Sequence, residues 1–279
     1  MRALDPEVVD AVWTAVKAQL PPPPRDEHPL GCHRRRVPDR VCFEAILLRL
    51  TTGCSWVDAE RLVGGRASDT TIRARRDEWV VAGVFDALAA EALAAYDRVV
   101  GLDLSEAALD ASLHKAPAGG EGTGPNPCDR GKSGWKWSVV TDRWGIPLGW
   151  SSDGANRNDI TLVDATLDAV HARGLLGEIG TLHLDRGYDH ACVRAACTER
   201  GLTDLRCSKR RLPGKGRHKT VVPLGLRWPV ERTNSWLSNF GQLRRNTDRR
   251  TFHRLAQVAL AVALLLTAKL IDWRNRWGR

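Results

Sequence analysis

The sequence is short of methionine, tyrosine and phenylalanine, with one, two and four residues, although it carries eleven tryptophans. Its seven cysteines form no C-x-x-C pair and no pair at zinc-finger spacing. An odd number of thiols, with no signal peptide in view, argues against a secreted disulfide framework and for cytosolic thiols packed as small hydrophobes. No apolar run reaches membrane length: residues 258–268 are about half of what a spanning helix requires, so a soluble protein is expected. His114, His183 and His190 lack the spacing of a zinc protease or phosphatase cluster and read as structural. Gly131-Lys132-Ser133 has Asn126 where a phosphate loop requires glycine, which excludes that mode of nucleotide binding. No internal repeat is visible.

What is present is a globular composition with a positive excess. A hydrophobic fraction of 43% and a charged fraction of 27% allow most of the 279 residues to fold, as one large domain or two modest ones. The net charge of +9, from 42 Lys and Arg against 33 Asp and Glu, suits a polyanionic partner such as nucleic acid, or an anionic membrane face. Helical spacing runs through Val9, Val12, Trp13, Val16 and Leu20 until Pro21 to Pro24 stop it. A second helix carries Phe43, Ile46, Leu47 and Leu50 and ends at Gly53. Ser55 then caps a short helix, Gly64-Gly65 supplies a turn, and Ser68 or Asp69 caps a helix bearing Arg73, Arg75 and Arg76, with Ile72 and Trp79 inward. That order reads as a helix-turn-helix with an arginine-rich recognition helix, or as a plain bundle with a solvated arginine face.

Beyond about residue 100 the pattern becomes α/β. Strands are expected at 107–112, 136–141, 147–151, 181–184 and 203–205, with helices at 160–173, 190–200, 228–244 and 251–273. Asp142-Arg143-Trp144-Gly145 reads as the turn between the second and third strands. The predicted organisation is a helical head at 1–95, an α/β domain at 100–272 on which the last helix packs, and a basic tail at 273–279. Three carboxylates stand where such a fold gathers side chains: Asp110 on the first strand, Asp185 at the end of the fourth, and Glu231 in the first turn of a late helix. Clustered carboxylates raise one another's pKa unless a hard divalent cation, which prefers oxygen ligands, compensates them. Asp103, Glu106, Asp153, Asp159, Asp189 and Asp204 are rivals, and spacing alone does not select among them.

Leu184-Asp185-Arg186-Gly187-Tyr188-Asp189 resembles the second-aspartate motif of insertion-sequence DDE transposases. Val230-Glu231-Arg232-Thr233, with Trp236-Leu237, Phe240 and Leu243-Arg244-Arg245, is similar to their glutamate motif. The insertion-sequence-five group fits best: Leu109-Asp110-Ala111-Ser112, the Gly-rich loop, and Thr52-Gly53-Cys54-Ser55-Trp56 in the head all resemble its segments. The resemblance implies a ribonuclease-H-like mixed sheet flanked by helices, Mg²⁺ or Mn²⁺ dependence, and cleavage and strand transfer at element ends. It further implies Asp110, Asp185 and Glu231 as metal-binding catalytic residues, Arg227 as the arginine of the wider Y-R-E signature, and a dimer on terminal-repeat and target DNA in the bacterial nucleoid. Leu224 replaces the signature tyrosine and Ser238 its lysine, so the basic role has moved to Arg244 or Arg245, or is lost. A decayed transposase that only binds DNA, and a ribonuclease-H-like nuclease, are the competing readings.

From Arg206 to Val230 there is no acidic residue and there are eight Lys or Arg. Lys209, Arg210, Arg211 and Lys215 therefore join Arg73, Arg75, Arg76, Arg227, Arg232, Arg244 and Arg245 as candidate DNA contacts. Trp135, Trp137, Trp144, Trp150, Trp228 and Trp236 are expected to be mostly core, although one near the cut offers a stacking surface for a base. DNA affinity should fall steeply with salt, and neutralising Lys209, Arg210, Arg211 and Lys215 should flatten the log–log slope by about 0.9 per lost phosphate contact. An unchanged slope in a salt titration counts against this role of the loop.

Overall fold

The helix ends of the first unit are written in its caps. The computed structural model describes residues 3–23, 35–207 and 226–278, and the chain forms two compact units. The first comprises residues 1–100, 239–246 and 252–279. Its helices α1 (Pro6–Gln19), α2 (Asp39–Thr52), α3 (Trp56–Leu62), α4 (Asp69–Val81) and α5 (Val84–Val99) follow in order. Ser55 Oγ accepts the Asp58 amide at 3.0 Å, and Ser68 Oγ accepts that of Thr71 at 3.3 Å, so both serines cap as expected. Ile72 and Trp79 are fully buried beside Phe43, Leu47 and Leu50.

The expectation that the last helix packs on the α/β domain is corrected. Helix α10 (Thr251–Trp277) groups from residue 252 onward with the first unit. There His253 and Leu260 line a small cavity with Ile46, Leu50, Trp56 and Phe85. Every residue from 258 to 266 is buried, so this helix presents apolar surface on all sides along that stretch and needs cover around its girth. It is long and apolar enough to cross a membrane by composition, and 61% of its apolar window is buried within the protein, as in a core helix. The expected continuous helix at 228–244 divides into α8 (Trp228–Ser238) and α9 (Gly241–Arg244). Gly241 explains the break: a Cβ there would lie 2.4 Å from Thr52 C and Gly53 N, so α9 sits backbone-to-backbone on the end of α2.

The second unit, residues 101–238 and 247–251, is a six-stranded mixed sheet flanked by helices. Strands β1 (Glu106–Lys115), β3 (Ser133–Thr141) and β4 (Pro147–Gly154) are antiparallel neighbours, and the two-residue β2 (Gly124–Pro125) pairs with the start of β3. Strands β5 (Thr181–Leu184) and β6 (Asp204–Cys207) continue parallel to β1 on its other side. This is the ribonuclease-H-like arrangement that the resemblance implied. Helix α6 (Val163–His171) covers one face, where Ser151 Oγ lies 2.7 Å from Thr166 Oγ1. Helix α7 (Ala191–Glu199) joins β5 to β6. Helix α8 covers the opposite face of β1 and β3, where Asp110, Ser112 and His114 alternate outward and stand opposite Val139, Trp137 and Trp135.

Two buried titratable groups tie this sheet together. Asp142, with no exposed surface, accepts the amides of Trp144 at 2.9 Å, Ile146 at 2.7 Å and Asp103 at 3.3 Å. Burial pushes its carboxyl above the usual range, against those three hydrogen bonds, which pull it down. Asp142→Ala should strand these donors and cost about 3 kcal/mol, visible as a drop in Tm of several degrees; an unchanged Tm would show that the turn stands without them. His114 stacks on Trp137 with ring centroids 3.7 Å apart, and burial pushes its imidazole down to about 3. The unfolded chain takes up this proton near the ordinary value of 6.5 and the folded chain does not. Stability should therefore fall as pH drops from about 6.5 toward 3, by up to about 1.4 kcal/mol per pH unit from this group. Thermal melts of His114→Gln between those limits should show a shallower pH dependence than the wild type.

Candidate active site

The register of the parallel pair places the two aspartates together. Leu109 pairs with Leu184, so Asp110 and Asp185 are the next residues on adjacent strands, one still inside β1 and the other just past the end of β5. Asp185 caps the short 3-10 turn Arg186–Tyr188 by accepting the Arg186 amide. Glu231 reaches the same neighbourhood from the first turn of α8. That helix is held at the β3–β4 turn: Thr233 Oγ1 donates to Gly145 O at 2.5 Å, and the Arg232 guanidinium donates to Trp144 O. Gly145 is required there, with φ of +78° and its missing Cβ 2.9 Å from both Pro229 O and Thr233 Oγ1.

The electrostatics of the three acids are unequal. Asp110 is the most enclosed, and burial pushes its carboxyl up to about 6. A backbone hydrogen bond and Arg227 oppose that rise, while Asp185 and Glu231 add to it. Asp185 and Glu231 are more exposed and share one cation: Arg227 Nη1 lies 3.3 Å from Asp185 Oδ1 and Nη2 lies 3.2 Å from Glu231 Oε1. Among the described residues no three His, Cys, Asp or Glu side chains are drawn into a ready metal cage. Instead a guanidinium compensates two of the carboxylates, which is the charge balance that a hard cation would otherwise supply. The donor set is all oxygen, as Mg²⁺ or Mn²⁺ prefers. Among the described residues the buried Tyr188 hydroxyl has no hydrogen-bond partner, and it lies within electrostatic reach of Asp159, Asp110 and Asp185. The residues fit a divalent cation.

The rival acids are engaged elsewhere. Glu106 pairs with Arg143, Asp153 with Arg157, Asp159 with Lys136, and Asp189 with Arg194. Asp103 accepts from Ser105, and Asp204 accepts from Thr181 at 2.8 Å. His183, His190 and His114 bond to Leu226, Cys192 and Ser112 respectively, as structural histidines do.

Two of the arginines expected to face DNA are turned inward. Arg75 is 4% exposed and pairs with Asp39 and Glu78, and Arg76 is 8% exposed with its guanidinium over the Trp56 ring. Both are corrected to internal struts of the head: only the outer stripe of α4 reaches solvent, and it carries Arg73, paired with Asp69. Arg232 is half-buried and remains a DNA candidate. It lies between the Trp228 ring at 4.2 Å and the Trp236 ring at 4.6 Å, where it stiffens α8. Arg244 and Arg245 are exposed and belong to the first unit. Lys209, Arg210, Arg211 and Lys215, with Leu224, lie outside the described residues. Ser238, in the place of the signature lysine, donates to Asn234 O within its own helix at 2.7 Å.

Sequence reading missed Asn234. Its Nδ2 donates to Asp110 Oδ2 at 3.2 Å, and its Oδ1 accepts from Trp137 Nε1 at 2.9 Å. The available signal was its spacing, three residues after Glu231 and so on the same helix face. Of the tryptophans, Trp135, Trp137 and Trp150 are core, whereas Trp144 and Trp228 are about half exposed.

Comparison with known proteins accords with this geometry. Residues 102–267, more than half of the chain, match the family model "Transposase DDE domain", and residues 8–89 match "Putative transposase of IS4/5 family". The chain is 40% identical over 133 residues to the "Putative transposase for insertion sequence element IS402" of Burkholderia cepacia, covering 46% of this chain and 60% of that protein. It is 37% identical over 123 residues to the "Insertion element IS402 uncharacterized 16.2 kDa protein" of the same organism, covering 44% of this chain and 82% of that one. The alignment thus spans about three fifths of the length of the first of these relatives. A chain of the solved "Mos1 transposase paired-end complex with left transposon end" is 10% identical, with 88% of this chain and 82% of that chain covered, at a TM-score of 0.26, too slight a likeness to support any argument. On the strength of the domain match, the chain belongs to the DDE transposase family.

Proposed function

We propose that this protein is a DNA transposase that cleaves the ends of an insertion sequence and joins them to target DNA, with Asp110, Asp185 and Glu231 as the metal-holding catalytic residues. The observation that carries the reading is the pairing of β1 with β5, which sets Asp110 beside Asp185, together with Arg227, which bridges Asp185 to Glu231 at the start of α8. Divalent metal at such a site, Mg²⁺ or Mn²⁺, supplies an activated water or 3′-hydroxyl and neutralises charge on the leaving oxygen of a phosphodiester. The protein's part is to hold the acids. Asp110 is fixed within a strand, Asp185 by its capping bond, and Glu231 by the anchoring of α8 to the hairpin turn. Arg227 keeps Asp185 and Glu231 compensated and provides a cation beside the phosphate backbone.

The head would read the terminal repeats, with the exposed Arg73, Thr70 and Arg66 on or near α4 exchanging their local partners Asp69, Ser68 and Glu44 for DNA. Arg244 and Arg245, with Lys209, Arg210, Arg211 and Lys215, would contact phosphates. Cutting two ends together requires two copies, so a homodimer on bacterial nucleoid DNA is part of the reading.

The test is cleavage of a supercoiled plasmid carrying the element's ends, in Mg²⁺ or EDTA, by the wild type and Asp185→Ala. Nicking at the ends that needs metal and drops at least ~10³-fold in the variant is expected, the scale of losing a group that acts on developing charge. Binding without nicking by the wild type would reduce the protein to a DNA-binding relic, and nicking without preference for the ends would make it a general nuclease.

A further inference from the structure

We propose that Asn234 is a positioning residue for the metal site, holding the Asp110 carboxylate in its working orientation, and that the Trp137 indole sets which way the Asn234 amide faces. The inference rests on the reading of Asp110, Asp185 and Glu231 as metal holders.

The chemistry of the three partners leaves a single arrangement. An indole N–H only donates, so the Asn234 atom 2.9 Å from Trp137 Nε1 is the amide oxygen. The NH₂ group is then turned to Asp110 Oδ2, at 3.2 Å, where it donates to an ionised carboxylate. Were the amide flipped, its oxygen would face the carboxylate and its NH₂ would face the indole N–H, and both contacts would be repulsive. Trp137 itself has no freedom to follow a flipped amide. It is fully buried on β3, opposite Ser112, with the His114 ring stacked on it at 3.7 Å and 12° and Trp135 edge-on at 5.3 Å. Asn234 is buried on the face of α8 that lies against β1 and β3. The chain of contacts from His114 through Trp137 and Asn234 to Asp110 is thus a rigid support.

Its consequence is geometric. Glu231 and Asn234 stand about one turn apart on α8. One helix therefore delivers the third carboxylate and clamps the first, and a single docking event fixes the spacing of both. Groups that hold a metal-binding carboxylate from behind typically change metal affinity about 10- to 100-fold when removed.

The experiment is titration of the full-length protein with Mn²⁺, following free Mn²⁺ by electron paramagnetic resonance well below the Tm of each variant. Wild type should bind Mn²⁺ in a manner lost in Asp185→Ala. Asn234→Ala should bind at least about 10-fold more weakly, with its circular dichroism unchanged. Trp137→Phe keeps an aromatic ring beside His114 while removing the donor and some ring volume, and should weaken binding by a smaller factor; it decides the matter if Asn234→Ala does not fold. Equal Mn²⁺ affinity in wild type and both folded variants would overturn the positioning role while leaving the metal site intact, because a purely structural contact would lower Tm alone. Failure of the wild type to bind Mn²⁺ would overturn the metal reading, and this inference with it.

Discussion

Carboxylates gathered at one end of a sheet repel each other, and each must be held against that repulsion by something that does not itself dissolve the cluster. In this protein the burden falls on the docking of α8. The helix is pinned near its start by Thr233 and Arg232 to the turn between β3 and β4, and deeper in the unit by Asn234 to Asp110 and Trp137. If that docking is lost, Glu231 has no fixed place, Asp110 loses its partner and Arg227 no longer bridges Asp185 to Glu231. The turn is in turn held by Asp142, whose buried carboxylate accepts three backbone amides. The residue with the strongest structural claim among the acids is therefore one that takes no part in chemistry.

The distribution of arginines follows the same physics. A guanidinium keeps its charge at any accessible pH, so burying one requires acids or aromatic faces around it. Arg75 has Asp39 and Glu78, Arg76 has Asp77 and the Trp56 ring, and the half-buried Arg232 rests against two indoles and a carbonyl. A basic stretch in this sequence is consequently not a map of the DNA surface. Arg73 differs from Arg75 and Arg76 only in the helical angle at which it leaves α4, and that angle puts it in solvent. The paucity of phenylalanine and tyrosine fits this plan, since tryptophan supplies both the core volume and the faces on which these cations rest.

Local signals in the chain carried much of the architecture. Ser55 and Ser68 announced their helices because a cap is a contact between residues three apart, and β5 was placed at Thr181–Leu184, where polar and apolar residues alternate with the period of a strand. The carboxylates Asp110, Asp185 and Glu231 were selected by resemblance of the motifs around them; composition and spacing left six rivals in play. Where reading failed, a distant contact had decided the matter. The helix expected through 228–244 breaks before Gly241, whose backbone meets the end of α2, nearly two hundred residues earlier in the chain. The last helix went to the first unit because a segment buried from 258 to 266 packs wherever apolar cover exists, and its own sequence does not name the partner.

The sequence by itself determined the α/β frame and, through motif resemblance, three candidate carboxylates, together with the caps, turns and strands whose physics is local. The tertiary structure alone decided which cations are struts and which are exposed, that Arg227 sits between two of the acids, and that Asn234 and Trp137 stand behind the third. The reason is separation along the chain. The bond from Asn234 to Asp110 joins residues 124 apart, and that from Trp137 to Asn234 joins residues 97 apart. No periodicity or motif encodes such a pair until the sheet and the helix have met.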